Sequence, residues 1–107
     1  MIGQDIARLS IADDNIIVLL HRLKQPTFFT RDKDFFQREL CHPAYGLEWL
    51  DAEPKEAAVF VRRVLRHPRF ARKASRMGIV AREHHDGLQF WQRHRAALQK
   101  TSWRDRP

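Results

Sequence analysis

The hydrophobic pattern changes period several times along the chain, and each change marks an element. Residues 4–9, "QDIARL", read as a short strand. In "NIIVLLHRLKQ" the apolar residues Ile16, Leu19, Leu20 and Leu23 recur at helical spacing. Asp13 and Asp14 stand where a helix N-terminus takes acids, and Pro26 closes the run. "TFFT", residues 27–30, is dense in aromatic and β-branched residues without polar alternation, the pattern of a strand covered on both faces. Strand, helix and strand in this order predict a parallel unit.

A short helical segment is expected around residues 35–40, followed by a turn-rich loop, "CHPAYG", and a third strand, "GLEWLD". Pro54 then opens a helix whose inner face carries Ala57, Phe60, Val61, Val64 and Leu65, and Pro68 prevents its continuation. Its outer face carries Arg62, Arg63 and Arg66. The basic stretch "RFARKASRM" continues as a helical connector to Gly78. Near the end, "GIVAREHHDGLQFWQRH" places Asp86-Gly87 between two alternating runs, which predicts a hairpin with those two residues as its turn. Counting back from that turn pairs Arg82 with Trp91 on one face and puts Ile79, Ala81, Leu88 and Phe90 on the other. The expected class is therefore α/β: a short, mostly parallel sheet flanked by helices, with a C-terminal β-hairpin. Residues 1–98 form one domain, and residues 99–107, poor in apolar side chains, read as a frayed basic tail.

Length and composition narrow this picture. The 107 residues suffice for one hydrophobic core without disulfides. The lone Cys41 has no partner within the chain and reads as a small buried apolar residue in a reducing compartment. Neither a signal peptide nor a membrane span is visible, so the expected location is cytoplasmic, without a membrane partner. A formal charge of +7, from 20 Lys and Arg against 13 Asp and Glu, favours polyanionic partners. The candidate phosphate contacts are Arg62, Arg63, Arg66, Arg69, Arg72, Lys73 and Arg76.

Against that basic background the acids are placed unusually. Asp32 and Asp34 follow the strand at residues 27–30, and Asp13 and Asp14 follow residues 4–9. In an open parallel sheet such positions share one rim, at the carboxyl ends of the strands. Clustered carboxylates repel, and Mg²⁺ or Mn²⁺ relieves the repulsion while taking further ligands from water and phosphate. Beside a basic surface, that implies phosphodiester chemistry. Each acid also has a plainer role, as a helix cap or a first-turn complement to the helix dipole.

"TRDKDF", residues 30–35, after an apolar strand, preceded by "IADDNIIVLLHR" and followed by "GLEWLD" and an apolar-faced helix, resembles the compact PIN-like ribonuclease domains common among bacterial toxin–antitoxin proteins. The resemblance spans about residues 3–91. It implies a metal-dependent endoribonuclease, the toxin of a toxin–antitoxin pair, that uses Mg²⁺ or Mn²⁺ to cut RNA. By residue, Asp13 matches the acid at the start of the family's helix, Asp32 the acid beyond the following strand and Asp34 the second acid of that motif, with Asp14 as an assistant ligand. The implied partners are RNA and an antitoxin protein. Family members begin with a further strand bearing a metal-binding aspartate and a helix, and this chain starts after that point. The chain is then a fragment, or a second copy supplies the missing surface in a homo-oligomer, or it is a non-catalytic remnant that binds RNA or a partner.

The histidines carry less. His84 and His85 are adjacent in an extended run and face opposite ways, so with His94 and Asp86 they read as polar hairpin residues. His42 and His67 precede prolines at element boundaries. Arg82 and Arg93 with Trp91 read as a cation–π cover on one sheet face.

Overall fold

Helix α1, Ser10–Arg22, has the basic residues His21 and Arg22 in its last turn, and the Arg22 cation complements the negative end of its dipole. The chain then turns through Gln25, held at φ 51, to clear Pro26 and enter strand β1, Thr27–Thr30. The computed structural model of the chain describes residues 10–103, with side chains from residue 15 onward. The strand expected at residues 4–9 lies outside the described residues. With α1 beginning at Ser10, Asp13 and Asp14 lie inside its first turns; their side chains also lie outside the described set.

After β1 the predicted short helix resolves into two 3₁₀ turns, Lys33–Phe35 and Arg38–Leu40. Strand β2, Gly46–Leu50, follows, and a 3₁₀ turn, Pro54–Glu56, leads into helix α2, Ala57–Arg66. The basic connector forms only a single 3₁₀ turn, Lys73–Arg76, where a longer helix was expected. Strands β3, Ile79–His84, β4, Gly87–Gln92, and β5, Gln99–Ser102, complete the sheet.

Among the described residues the sheet has five strands in the order β1-β2-β3-β4-β5. The pairs β1–β2 and β2–β3 are parallel, and β3–β4 and β4–β5 are antiparallel. The described residues thus form an α/β domain with a mixed sheet and two α-helices. No described strand pairs with the outer edge of β1. No described helix is long and apolar enough to cross a membrane.

Each face of the sheet has its own apolar cluster. On one, Ile16 and Leu20 of α1 pack with Phe35, Cys41, Tyr45, Leu47 and Val80, and Phe28 leans on them. Leu19 and Leu23, expected on the same stripe, are each half exposed, because α1 touches the sheet along a single i, i+4 row. On the other face Val64 of α2 joins Phe70, Ile79, Ala81, Leu88 and Phe90, with Phe29 against them. Phe28 and Phe29 thereby cover β1 from both sides. Leu65, expected on the inner face of α2, is exposed; Phe60 and Val64 are its buried side chains.

The hairpin turns one residue earlier than the Asp-Gly signal suggested. His84 pairs with Gly87, so His85 and Asp86 form the turn and Arg82 pairs with Gln89, not Trp91. The register differs from the expected one by two, which preserves every side chain's face. Gly87, at φ 147, is needed for another reason: a Cβ there would run into Thr101 and Ser102 of β5. Residues 99–102, read as part of a frayed tail, form β5. They show little apolar signal because an edge strand is held through its backbone ladder, and Trp103 anchors its end by donating its indole N–H to the His84 carbonyl at 2.7 Å.

Gly46 marks the point where β2 passes beneath the connector. A Cβ at this residue would collide with the Arg76 carbonyl oxygen, a backbone atom fixed by its own turn. Gly46→Ala is expected to destabilise the fold by about 2 kcal/mol or more, read as a lower midpoint in urea with an unchanged slope.

Candidate nucleic-acid interface

The outer face of α2 is strongly cationic. Arg62, Arg63 and Arg66 are exposed on it, while Phe60 and Val64 are buried and fix the helix on the sheet. With Val59, His67 and Trp103 they line a groove of about 360 Å³. The Arg63 guanidinium lies 5.4 Å from the Phe60 ring centroid and 5.7 Å from that of Trp103, so it is stacked on aromatic surface. His67 caps the helix end: its Nδ1 accepts from the Arg69 amide at 3.1 Å, and its Nε2 lies 2.9 Å from the Ser102 carbonyl oxygen. The bond to Ser102 ties the end of α2 to β5, and the local bond from Arg69 fixes the ring that makes it.

Among the remaining expected phosphate contacts, Arg69, Arg72 and Lys73 are exposed, with Arg69 5.2 Å above the Phe90 ring. Arg76 is a correction. It is buried, and its guanidinium donates to Thr27 Oγ1 at 2.9 Å and to the carbonyls of Phe70 and Ala71 at 2.8 and 3.1 Å. A side chain so occupied ties β1 to the connector and has no fork left for phosphate.

At the carboxyl ends of the strands, Asp32 caps the 3₁₀ turn after β1, accepting from the Asp34 amide at 2.9 Å, while the Asp32 amide donates to Thr30 Oγ1 at 3.1 Å. Asp34 is exposed. Ile16 of α1 shares a cluster with Phe35, the neighbour of Asp34. Among the described residues no group of three or more His, Cys, Asp or Glu side chains is arranged to hold a metal. The described donors are two carboxylates with one oxygen committed to a cap, a set that suits Mg²⁺ or Mn²⁺ only with ligands added from Asp13, Asp14, water or phosphate.

The sequence reading missed a second pair of acids. Glu48 of β2 and Glu83 of β3 are 1% and 0% exposed, and none of their four carboxyl oxygens has a partner of good hydrogen-bond geometry. Glu48 is in register with Phe29, Ala81 and Phe90, and Glu83 with Leu50 and Leu88, so both acids sit on the face that α2 covers. Burial pushes Glu48 up to about 7, opposed in part by Glu83 and by the Arg76 charge. Burial, then the charge on Glu48, holds Glu83 well above the ordinary carboxylate range. A signal for Glu83 was present: the alternation that turned Ile79 and Ala81 inward turns residue 83 inward too.

The opposite face carries a half-exposed polar cluster instead. Arg82 donates to Asp51 Oδ2 from Nε at 2.8 Å and Nη2 at 2.5 Å, reaches Gln89 at 3.0 Å, and stacks on Trp49 at 5.4 Å, not on the expected Trp91. Cys41 is buried as expected, its thiol donating to the Trp91 carbonyl, with burial raising its pKa.

Comparison with known families, with curated proteins and with solved structures finds no match to this chain.

Proposed function

We propose that the protein binds single-stranded RNA along the outer face of α2. The observation that carries this reading is the alignment of three exposed arginines with an aromatic wall in one groove. Guanidinium groups take phosphate oxygens in bidentate fashion, and an indole or a second guanidinium plane offers a stacking surface to an unpaired base. The net charge of +7 adds long-range attraction. Fluorescence anisotropy of a short labelled oligouridylate should report binding that weakens steeply with salt. Lack of binding at low salt removes the reading.

A second reading starts from Asp32 and Asp34, which follow the end of β1: a PIN-like, Mg²⁺- or Mn²⁺-dependent endoribonuclease, a toxin whose partners are RNA, an antitoxin protein and a further copy of the chain. A bound ion would supply polarisation of the phosphate and an acidified water. Asp32, Asp34, Asp13 and Asp14 would hold it. Capping and metal binding by Asp32 separate cleanly by substitution, because Asn caps as well as Asp. Asp32→Ala is expected to cost about 1 kcal/mol in metal-free buffer and Asp32→Asn little. If the rim holds Mn²⁺, the ion raises the wild-type melting temperature and Asp32→Asn loses that gain. Equal Mn²⁺ effects on wild type and Asp32→Asn, with no chelator-sensitive RNA cleavage, would leave capping as the sole role.

A further inference from the structure

The Glu48–Glu83 pair lies beneath the element that carries the RNA-binding arginines. Helix α2 packs across β2 and rests on the sheet through Phe60 and Val64, and the two carboxyls occupy the sheet face it covers. We infer that this pair is a proton-operated latch on the RNA-binding helix: with its protons in place α2 lies closed on the sheet and its arginines are aligned, and loss of a proton loosens α2 and weakens RNA binding. The inference rests on the RNA-binding reading given above.

The surroundings leave an ionised pair little compensation. β1 contributes Phe29 and β4 contributes Leu88 and Phe90. From α2 the buried side chains are apolar, and Arg62, Arg63 and Arg66 are exposed to solvent. The connector brings Arg76, already committed to three oxygen acceptors, and Arg69, an exposed residue lying over the Phe90 ring. The remaining titratable groups of this side are engaged elsewhere: His67 bonds at the end of α2, and His85 lies 3.6 Å from Glu56 at its start. A carboxylate formed here must either stay dry at high cost or admit water, and the covering helix is the element that can move to admit it. Burial places the first proton loss near neutrality, where such a latch would respond to ordinary changes of pH.

The test uses the full chain and a short labelled oligouridylate at constant ionic strength, at about pH 6 and about pH 8.5. Wild type should bind at least about fivefold more weakly at the higher pH, and the Glu48→Gln, Glu83→Gln double variant should change by about twofold or less, the share common to both proteins being that of the histidines. Hydrogen exchange of the wild-type amides of α2, corrected for the intrinsic effect of pH, should accelerate relative to those of β4. This second measurement stands even if the double variant fails to fold. Equal pH dependence in both proteins, or α2 exchange that does not accelerate, overturns the latch. Absence of RNA binding at about pH 6 overturns the RNA reading alone, and the exchange of α2 then decides whether the pair governs the helix.

Discussion

Equilibrium unfolding followed from about pH 4 to about pH 8 is expected to show stability falling as pH rises, opposite to the behaviour of a protein held by salt-bridged carboxylates. The cause is Glu48, whose folded pKa of about 7 stands above its ordinary value of 4.5. Between those values the unfolded chain releases a proton that folded Glu48 retains, so its contribution declines from the ordinary value upward and levels off above the folded one, while Glu83, also held well above its ordinary value, adds to the decline with the same sign. A shift of that size corresponds to about 3 kcal/mol, or roughly 15 °C in melting temperature for a domain of this length. His42 and His84, both pushed down chiefly by burial, act with the opposite sign as pH falls through the ordinary histidine range. Comparison with Glu48→Gln isolates the carboxyl: that variant should be the more stable protein at about pH 8, with the difference shrinking toward about pH 4. A wild type as stable at about pH 8 as at about pH 5, with Glu48→Gln parallel to it, would show that the carboxyl is ionised at no cost in the folded state.

The elements with strong periodic signals were legible in the sequence. α1, β1, β2, α2 and the β3–β4 hairpin all appear, and the packed hairpin face holds the four residues the alternation selected. What failed did so for identifiable reasons. β5 is an edge strand of polar residues, and its ladder to β4 leaves almost no trace in hydrophobic pattern. Gly87 opens β4 and is required by its close approach to β5, so the Asp86-Gly87 pair misled the count of the turn. In the candidate sites, arginine spacing on α2 identified the cationic face correctly, but composition could not separate Arg76, drawn inside by three oxygen acceptors, from its exposed neighbours. Trp103 escaped notice because it reaches the groove only through β5. Glu48 left no signal, since an acid within "GLEWLD" does not by itself show which face of the strand is covered; protonation makes its burial tolerable.

The second large effect concerns the groove. Replacing Arg62, Arg63 and Arg66 together by glutamate is expected to lower affinity for single-stranded RNA by about a hundredfold or more at moderate salt, since three attractive contacts become repulsive. All three side chains are exposed, so the fold should tolerate the change, checked by an unchanged cooperative melt. Trp103→Ala should also weaken binding, but by a loss that salt does not alter, because a stacked base releases no counterions. The same charge reversal at Arg69, Arg72 and Lys73, outside the groove, should cost less.

The most direct measurement of the central claim is the slope of log affinity against log salt concentration for an oligouridylate, taken for wild type and for Arg62→Ala, Arg63→Ala, Arg66→Ala combined. Wild type should show a clearly negative slope, and the variant's slope should be shallower by about 2, the value for three phosphate contacts on a single strand. Equal slopes in the two proteins, or wild-type affinity that does not depend on salt, would contradict the assignment of the α2 groove as the RNA-binding surface.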